Sequence, residues 1–71
     1  MERREAVAFL KELVMSNSLD ISWVSILRKT EFDYCLEIKT NALEFLEEFA
    51  KSKDLLAELD REKGIALICK F

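Results

Sequence analysis

The sequence predicts one α+β domain, in which two helices cover one face of a three-stranded, mainly antiparallel sheet. Three observations predict this class. Apolar residues recur every three or four positions in 3–16 and 41–63, as on the buried face of a helix. Segments 21–28 and 32–39 are rich in β-branched and aromatic side chains, and 65–71 is nearly all apolar, as in strands. A chain of 71 residues has room for a single domain.

Residues 3–16 form the first predicted helix. Its apolar positions follow the helical repeat and are expected to face the core; they are Ala6, Phe9, Leu10, Leu13 and Val14. Charged residues, among them Arg3, Arg4 and Lys11, lie on the other side.

Two strands are predicted next, joined as a hairpin through the polar segment 28–31. Residues 21–28 have the composition of a strand. A helix is the alternative there, with an apolar face made of Leu19, Trp23, Ile26 and Leu27. Apolar and polar residues alternate over 32–39, which is the period of a half-buried strand.

Residues 41–63 form the second predicted helix. Asn41 is suited to cap its first turn, and Glu44 lies three residues on, where it can bond back to the cap. Gly64 follows as a C-terminal cap. The alternative is a break near Ser52–Asp54, where a polar side chain would begin a separate helix.

Residues 65–71 form the third predicted strand. A right-handed crossover through the long helix makes this strand parallel to the second strand and places it beside the first. The predicted sheet order is therefore 2-1-3. The arrangement resembles part of a ferredoxin-like split β-α-β sandwich in topology, and the residues themselves indicate no family.

The composition argues against catalysis and against metal or cofactor binding. The chain has no histidine, two cysteines and one glycine, so it lacks the commonest general base, a full set of zinc ligands and glycine-rich phosphate loops. The best carboxylate candidates are Asp33 and Glu37, with Cys35 between them. They lie about 13 Å apart along a strand, which is too far for paired-carboxylate chemistry. We expect no catalytic residue, no metal and no cofactor.

The two cysteines, Cys35 and Cys69, are expected to be reduced. Residues 1–5 are mostly charged and do not lead into the apolar stretch of a signal peptide, and no run approaches the roughly 18–20 apolar residues that span a bilayer. We therefore predict a cytoplasmic protein without a membrane segment, in which free thiols are the rule. A Cys35–Cys69 disulfide is the alternative. The absence of glutamine and the dominance of lysine and glutamate among charged residues are typical of thermophile proteins.

A nucleic-acid surface is a weaker hypothesis. Arg28, Lys29 and Lys39 lie near Trp23 and Tyr34 in sequence, and basic surfaces with aromatic side chains bind single strands. The net charge of −3 argues against this partner, because phosphate binding requires a positive surface. A ribonucleoprotein accessory role is the third-ranked function.

Apolar residues make up 51% of the chain, which is high for so small a protein. Chains of this size need disulfides, a metal or oligomerisation, and we expect neither of the first two. The sequence therefore predicts a non-catalytic interaction or regulatory module that forms a homo-oligomer, with a dimer favoured, through an apolar sheet face or edge. The predicted interface residues are Trp23, Val24, Ile26, Leu55, Leu67 and Ile68. A small-ligand (effector) domain, with a pocket between subunits near Trp23 and Tyr34, is the alternative.

Overall fold

The computed structural model describes residues 1–16 and 20–70, apart from the Ser16 side chain. These residues form two helices and four strands: α1 (Arg3–Ser16), β1 (Ile21–Arg28), β2 (Tyr34–Thr40), α2 (Leu43–Ser52), β3 (Leu55–Asp60) and β4 (Ile65–Lys70). The strands form one antiparallel sheet in the order β1-β2-β4-β3. The predicted α+β class is confirmed, whereas the prediction of three strands in the order 2-1-3 is wrong.

Helix α1 has the predicted bounds, and its core face is slightly narrower than predicted. Ala6, Phe9 and Leu13 are buried, and Leu10 is partly buried against them. Val14 is 61% exposed, so its assignment to the core face is wrong. It lies on the flank of the helix, beyond the reach of the sheet below.

Strands β1 and β2 form the predicted hairpin, and the helical alternative for residues 21–28 is excluded. The turn closes where the amides of Lys29 and Thr30 donate to the Asp33 carbonyl oxygen at 2.8 and 3.2 Å. Phe32 therefore lies in the turn, 76% exposed, and the second strand begins later than the alternation indicated, at Tyr34.

The single long helix over 41–63 is wrong, because α2 ends at Ser52 and a strand follows. Asp54 adopts a left-handed conformation with φ 59°, which ends the helical path. Beyond it, Leu55, Ala57 and Leu59 alternate with more exposed residues, so the period is two and β3 forms. The break near Ser52–Asp54 does occur, and it begins a strand instead of a second helix.

The caps predicted for that helix are also wrong. Helix α2 begins after Ala42, with no side-chain cap bond there, and the Ala42 amide donates to the Thr40 hydroxyl at 3.2 Å instead of Asn41 acting as cap. Gly64 does have the left-handed conformation expected of it, with φ 71°, but it closes a hairpin between β3 and β4. Its amide donates to the Asp60 carbonyl oxygen at 2.8 Å.

Strand β4 lies between β2 and β3 and is antiparallel to both. The prediction that this strand is parallel to the second strand and pairs with the first in antiparallel fashion is therefore wrong, because β3 takes the parallel crossover from β2 through α2 and β4 inserts between them. The residue Phe71, predicted to end the last strand, lies outside the described residues.

Both helices cover the same face of the sheet. Its buried residues on this face include Leu36 and Ile38 from β2 and Ala66 and Ile68 from β4, all in one core cluster with the helices. The helices contact each other where the Phe9 and Phe49 rings meet edge to face, with centroids 5.1 Å apart. The opposite face, called here the open sheet face, has no helix over it in the described part of the chain.

Candidate association surfaces

The residues weighed for catalysis do not form a reactive cluster. Cys35 and Glu37 lie on the open sheet face, whereas Asp33 precedes the strand, where its Oδ1 accepts a hydrogen bond from the Met1 α-amino group at 2.6 Å. Asp33 thus contacts the N-terminus ahead of β2, whereas Glu37 lies within the strand. Among residues 1–16 and 20–70, no group of three or more metal-ligating side chains comes together.

Cys35 and Cys69 form a disulfide, so the prediction of free thiols is wrong. The pairing of Leu36 with Ile68 places the two cysteines directly opposite each other on β2 and β4, with Cα atoms 4.7 Å apart. This spacing lies in the range that a disulfide requires. The pairing of β4 with β2 brings the sulfur atoms together, and this register is not contained in the local sequence pattern.

The basic residues near the aromatic side chains do not form a patch. Lys39 lies opposite Trp23 on the open sheet face, whereas Arg28 pairs with Tyr34 on the helix side at the other end of the hairpin. Lys39 is also accompanied on its own face by Glu37, and β3 adds Glu58 and Asp60 there. The open sheet face is therefore more acidic than basic, which does not favour phosphate binding.

The predicted interface residues divide into two groups. Leu55 is 8% exposed and Ile68 is fully buried, so both belong to the core of the single chain and do not lie on a surface. Both residues occupy positions of their strands that face the helices. Because the last strand is apolar at nearly every position, its sequence does not show which positions face the core. The other four residues remain accessible: Trp23, Val24, Ile26 and Leu67.

Three of these four residues lie on β1, one edge of the sheet. Trp23, Val24 and Ile26 are 40%, 38% and 39% exposed. Trp23 points to the open sheet face, while Val24 and Ile26 lie opposite Ile38 and Leu36 and so point to the helix side. Large apolar side chains are thus exposed on both faces of one edge strand.

Helix α1 adds apolar side chains beside this edge. Its other flank faces α2, because Phe9 contacts Phe49 and Glu12 accepts a hydrogen bond from Lys53 at 2.5 Å. At 3.6 residues per turn, the flank opposite to Glu12 therefore faces the β1 side of the molecule. Its apolar residues are Val7, Leu10 and Val14, of which Val7 and Val14 are 44% and 61% exposed. Val7 was not among the predicted interface residues and Val14 was predicted in the core, although their spacing of seven residues places both on one side of the helix. We call Val24 and Ile26, together with this flank, the edge surface.

The open sheet face is the second apolar surface. It carries Leu27, Leu56, Ile65 and Leu67 around the disulfide, and Leu56 on β3 is 40% exposed. Leu67 and Ile65 are half-buried by their neighbours, and Cys35 is 1% exposed. The middle of this face is therefore partly covered by its own side chains, unlike the edge surface.

A shallow cleft of about 250 Å³ lies between α1 and the start of β3, lined in part by Met1, Phe9 and Leu55. Glu5 at its rim accepts hydrogen bonds from the Glu2 amide at 3.2 Å and from Lys70 at 3.3 Å. These two contacts, the Glu2 amide first, hold the pKa of Glu5 below its usual value.

Trp23 and Tyr34, near which a pocket between subunits is predicted, lie on opposite faces of the sheet. In the described residues, no helix is long and apolar enough to cross a membrane.

Comparison of the chain with protein-family models, curated proteins and solved structures finds no match.

Proposed function

We propose that this protein is a non-catalytic interaction module that works by binding to a second copy of itself. The observation that carries this proposal is the exposure of large apolar side chains on both faces of one edge strand. An exposed strand edge with apolar residues pairs readily with another chain unless charges, proline or a covering segment prevent it. Because Trp23, Val24 and Ile26 cluster there, the protein gains stability by covering them.

The disulfide already supplies one of the stabilising devices that a small chain needs, so the proposal rests on the exposed apolar surface and its area. A standard interface buries about 800 Å² on each partner, which is roughly a sixth of the 4809 Å² surface of this chain. An edge strand alone does not supply that area. The edge surface adds the apolar flank of α1, and the open sheet face adds a second apolar area beside it.

The mass of the protein in solution tests the proposal. Light scattering at micromolar concentration is expected to give twice the 8.3 kDa mass of the chain. A folded monomer that persists at the highest soluble concentration would end the proposal. Circular dichroism of the same sample shows whether the molecule measured is folded.

We also propose that the protein acts in the cytoplasm of a thermophilic organism. The composition supports this, and the disulfide is compatible with it, because intracellular proteins of hyperthermophiles are an exception to the rule of free thiols. Alkylation of thiols in intact producing cells is expected to leave Cys35 and Cys69 unmodified.

The thermal midpoint is expected to lie above the range of about 45–65 °C that is usual for mesophile domains. A midpoint within that range would contradict the thermophile assignment.

A further inference from the structure

The two edges of the sheet are unequal. Strand β3 at one edge carries Glu58 and Asp60, which are charged residues of the kind that protect an edge from pairing. Strand β1 at the other edge has an irregularity between Ile21 and Trp23, pairs regularly with β2 from Trp23 to Arg28, and carries no charge or proline between Ser22 and Leu27. The backbone of β1 on its outer side pairs with no other strand in 1–16 and 20–70. The sheet is thus open to pairing at β1.

We infer that β1 pairs in antiparallel fashion with β1 of a second copy, around a two-fold axis at Ser25, and that the two sheets become one sheet of eight strands. This inference rests on the proposed self-association and names the surface that mediates it. A two-fold axis perpendicular to the sheet makes the contact isologous, so that each strand offers the same groups to the other.

The apolar residues of β1 select this register. Opposite residues in an antiparallel pair lie on the same face, so the axis must pass through one residue. With Ser25 on the axis, Val24 lies opposite Ile26 of the other copy on the helix side. Trp23 then lies opposite Leu27 of the other copy on the open sheet face. An axis at Val24 would place Trp23 and Ile26 opposite serines. An axis at Ile26 would place Val24 opposite Arg28.

The charges at the ends of β1 agree with antiparallel pairing. Asp20 precedes the strand, and Arg28 and Lys29 end it, all with exposed side chains. Arg28 donates to a backbone oxygen, that of Thr30, and is not ion-paired to a carboxylate among the described residues. The acidic end of each β1 therefore lies beside the basic end of the other, twice in one dimer. A parallel arrangement would bring like charges together instead.

Helix α1 completes the contact on the helix side. It lies over β2, so that the two α1 helices of the dimer are separated by three strand spacings, which is about 14 Å. Directly packed helices lie roughly 8–10 Å apart, so the larger distance between the two α1 helices leaves room for one more layer of side chains. The flanks of the two helices face each other across this trough, and Val24 and Ile26 of both copies form its floor. Val7 and Val14 from each copy line its walls.

A matched pair of lysine variants tests the inference. Ile26→Lys places a charge on β1, and Leu56→Lys places one on β3 at the same exposure, 39% against 40%. Ile26→Lys is expected to weaken dimerisation at least about a hundredfold, since a buried unpaired charge costs several kcal/mol and every 1.4 kcal/mol is about tenfold. Leu56→Lys is expected to leave the dissociation constant unchanged. Sedimentation equilibrium of folded samples measures both.

A cross-link tests the position of the axis without disturbing the core. Ser25→Cys is expected to form a disulfide-linked dimer on mild oxidation, because the two Ser25 positions face each other, whereas Ser22→Cys is expected not to. Cys35 and Cys69 are already joined and do not compete. A dimer that Leu56→Lys dissociates and Ile26→Lys does not would overturn this inference and leave self-association intact. A monomeric wild-type protein would end both.

Discussion

Thr40 is a buried polar residue, at 3% exposure, and its hydroxyl joins two segments. It donates to the Asp20 carbonyl oxygen at 2.8 Å and accepts from the Ala42 amide at 3.2 Å. The start of β1 and the start of α2 are thus held by one side chain. The sequence alone did not indicate this role, because it requires the register of the hairpin.

Thr40→Val is therefore expected to destabilise the protein by about 1–3 kcal/mol, since it keeps the shape and leaves the partners of the hydroxyl unsatisfied. Urea unfolding measures the change. The matched control is Thr30→Val in the exposed turn between β1 and β2, with an expected change within about 0.5 kcal/mol. If the two substitutions changed the free energy of unfolding equally, the hydrogen bonds of the Thr40 hydroxyl would not contribute to stability.

The Cys35–Cys69 disulfide also acts at the scale of residues, because it closes a loop of 34 residues in the unfolded chain. Loop closure of this length is expected to stabilise the folded protein by about 3–4 kcal/mol. The double variant Cys35→Ala/Cys69→Ala, and the wild-type protein with a thiol reductant, should both lose that amount. Denaturant unfolding with and without reductant measures it, and the reductant should not affect the double variant. A wild-type protein that is equally stable in reductant would contradict the prediction.

At the scale of elements, the hairpin of β3 and β4 is the part that sequence analysis missed. The residues 41–63 contain apolar residues at three- and four-residue steps, and Leu56 and Leu59 continue that series from Phe45 and Phe49. The same segment contains Leu55, Ala57 and Leu59 at steps of two, so both periods are present. Pairing with β4 favours the strand period over the helical one, and that pairing cannot be derived from a single sequence.

The closing residue of this hairpin is Gly64, and its left-handed conformation is required there. A Cβ atom at this position would lie 3.4 Å from the Thr40 carbonyl oxygen, and φ is 71°. Gly64→Ala is expected to cost about 1–2 kcal/mol, the penalty of a left-handed conformation for residues with a Cβ atom. Gly64→Asn should cost less, because asparagine tolerates this conformation. Thermal and urea unfolding rank the three proteins, and an alanine variant as stable as wild type would refute the argument.

The elements that were predicted correctly are those in which local pattern and tertiary environment agree. Helix α1 and strand β1 have their predicted bounds. Helix α1 buries the face that its helical period indicates, and β1 lies at an edge of the sheet, where it pairs only with β2. The last strand was located correctly, yet its pairing partner was wrong, because an all-apolar run does not show which face is buried.

At the scale of the whole molecule, the sequence indicated an excess of apolar residues without showing where it lies. Trp23, Val24 and Ile26 were predicted at an interface because their segment carries apolar residues on both faces of the strand. All three are accessible in the structure. Leu55 and Ile68 had the same appearance in sequence and are core residues. The contribution of α1 to the edge surface depends on how the helix is rotated, which the contacts with α2 determine.

The stability of an associating protein depends on its concentration, because binding of two folded chains opposes unfolding by mass action. The thermal midpoint is therefore expected to rise measurably over each tenfold increase in protein concentration. Differential scanning calorimetry over a hundredfold range measures this. The Ile26→Lys variant is expected to show a lower midpoint that does not change with concentration, and a wild-type midpoint independent of concentration would contradict self-association.

The unequal edges also determine how far assembly proceeds. Joining two copies through β1 uses the unprotected strand of each, and the ends of the combined layer are then the two β3 strands with Glu58 and Asp60. In the proposed dimer, further growth by pairing of β3 with the β3 of a third copy would bring like charges together, so we expect this route of extension to be disfavoured.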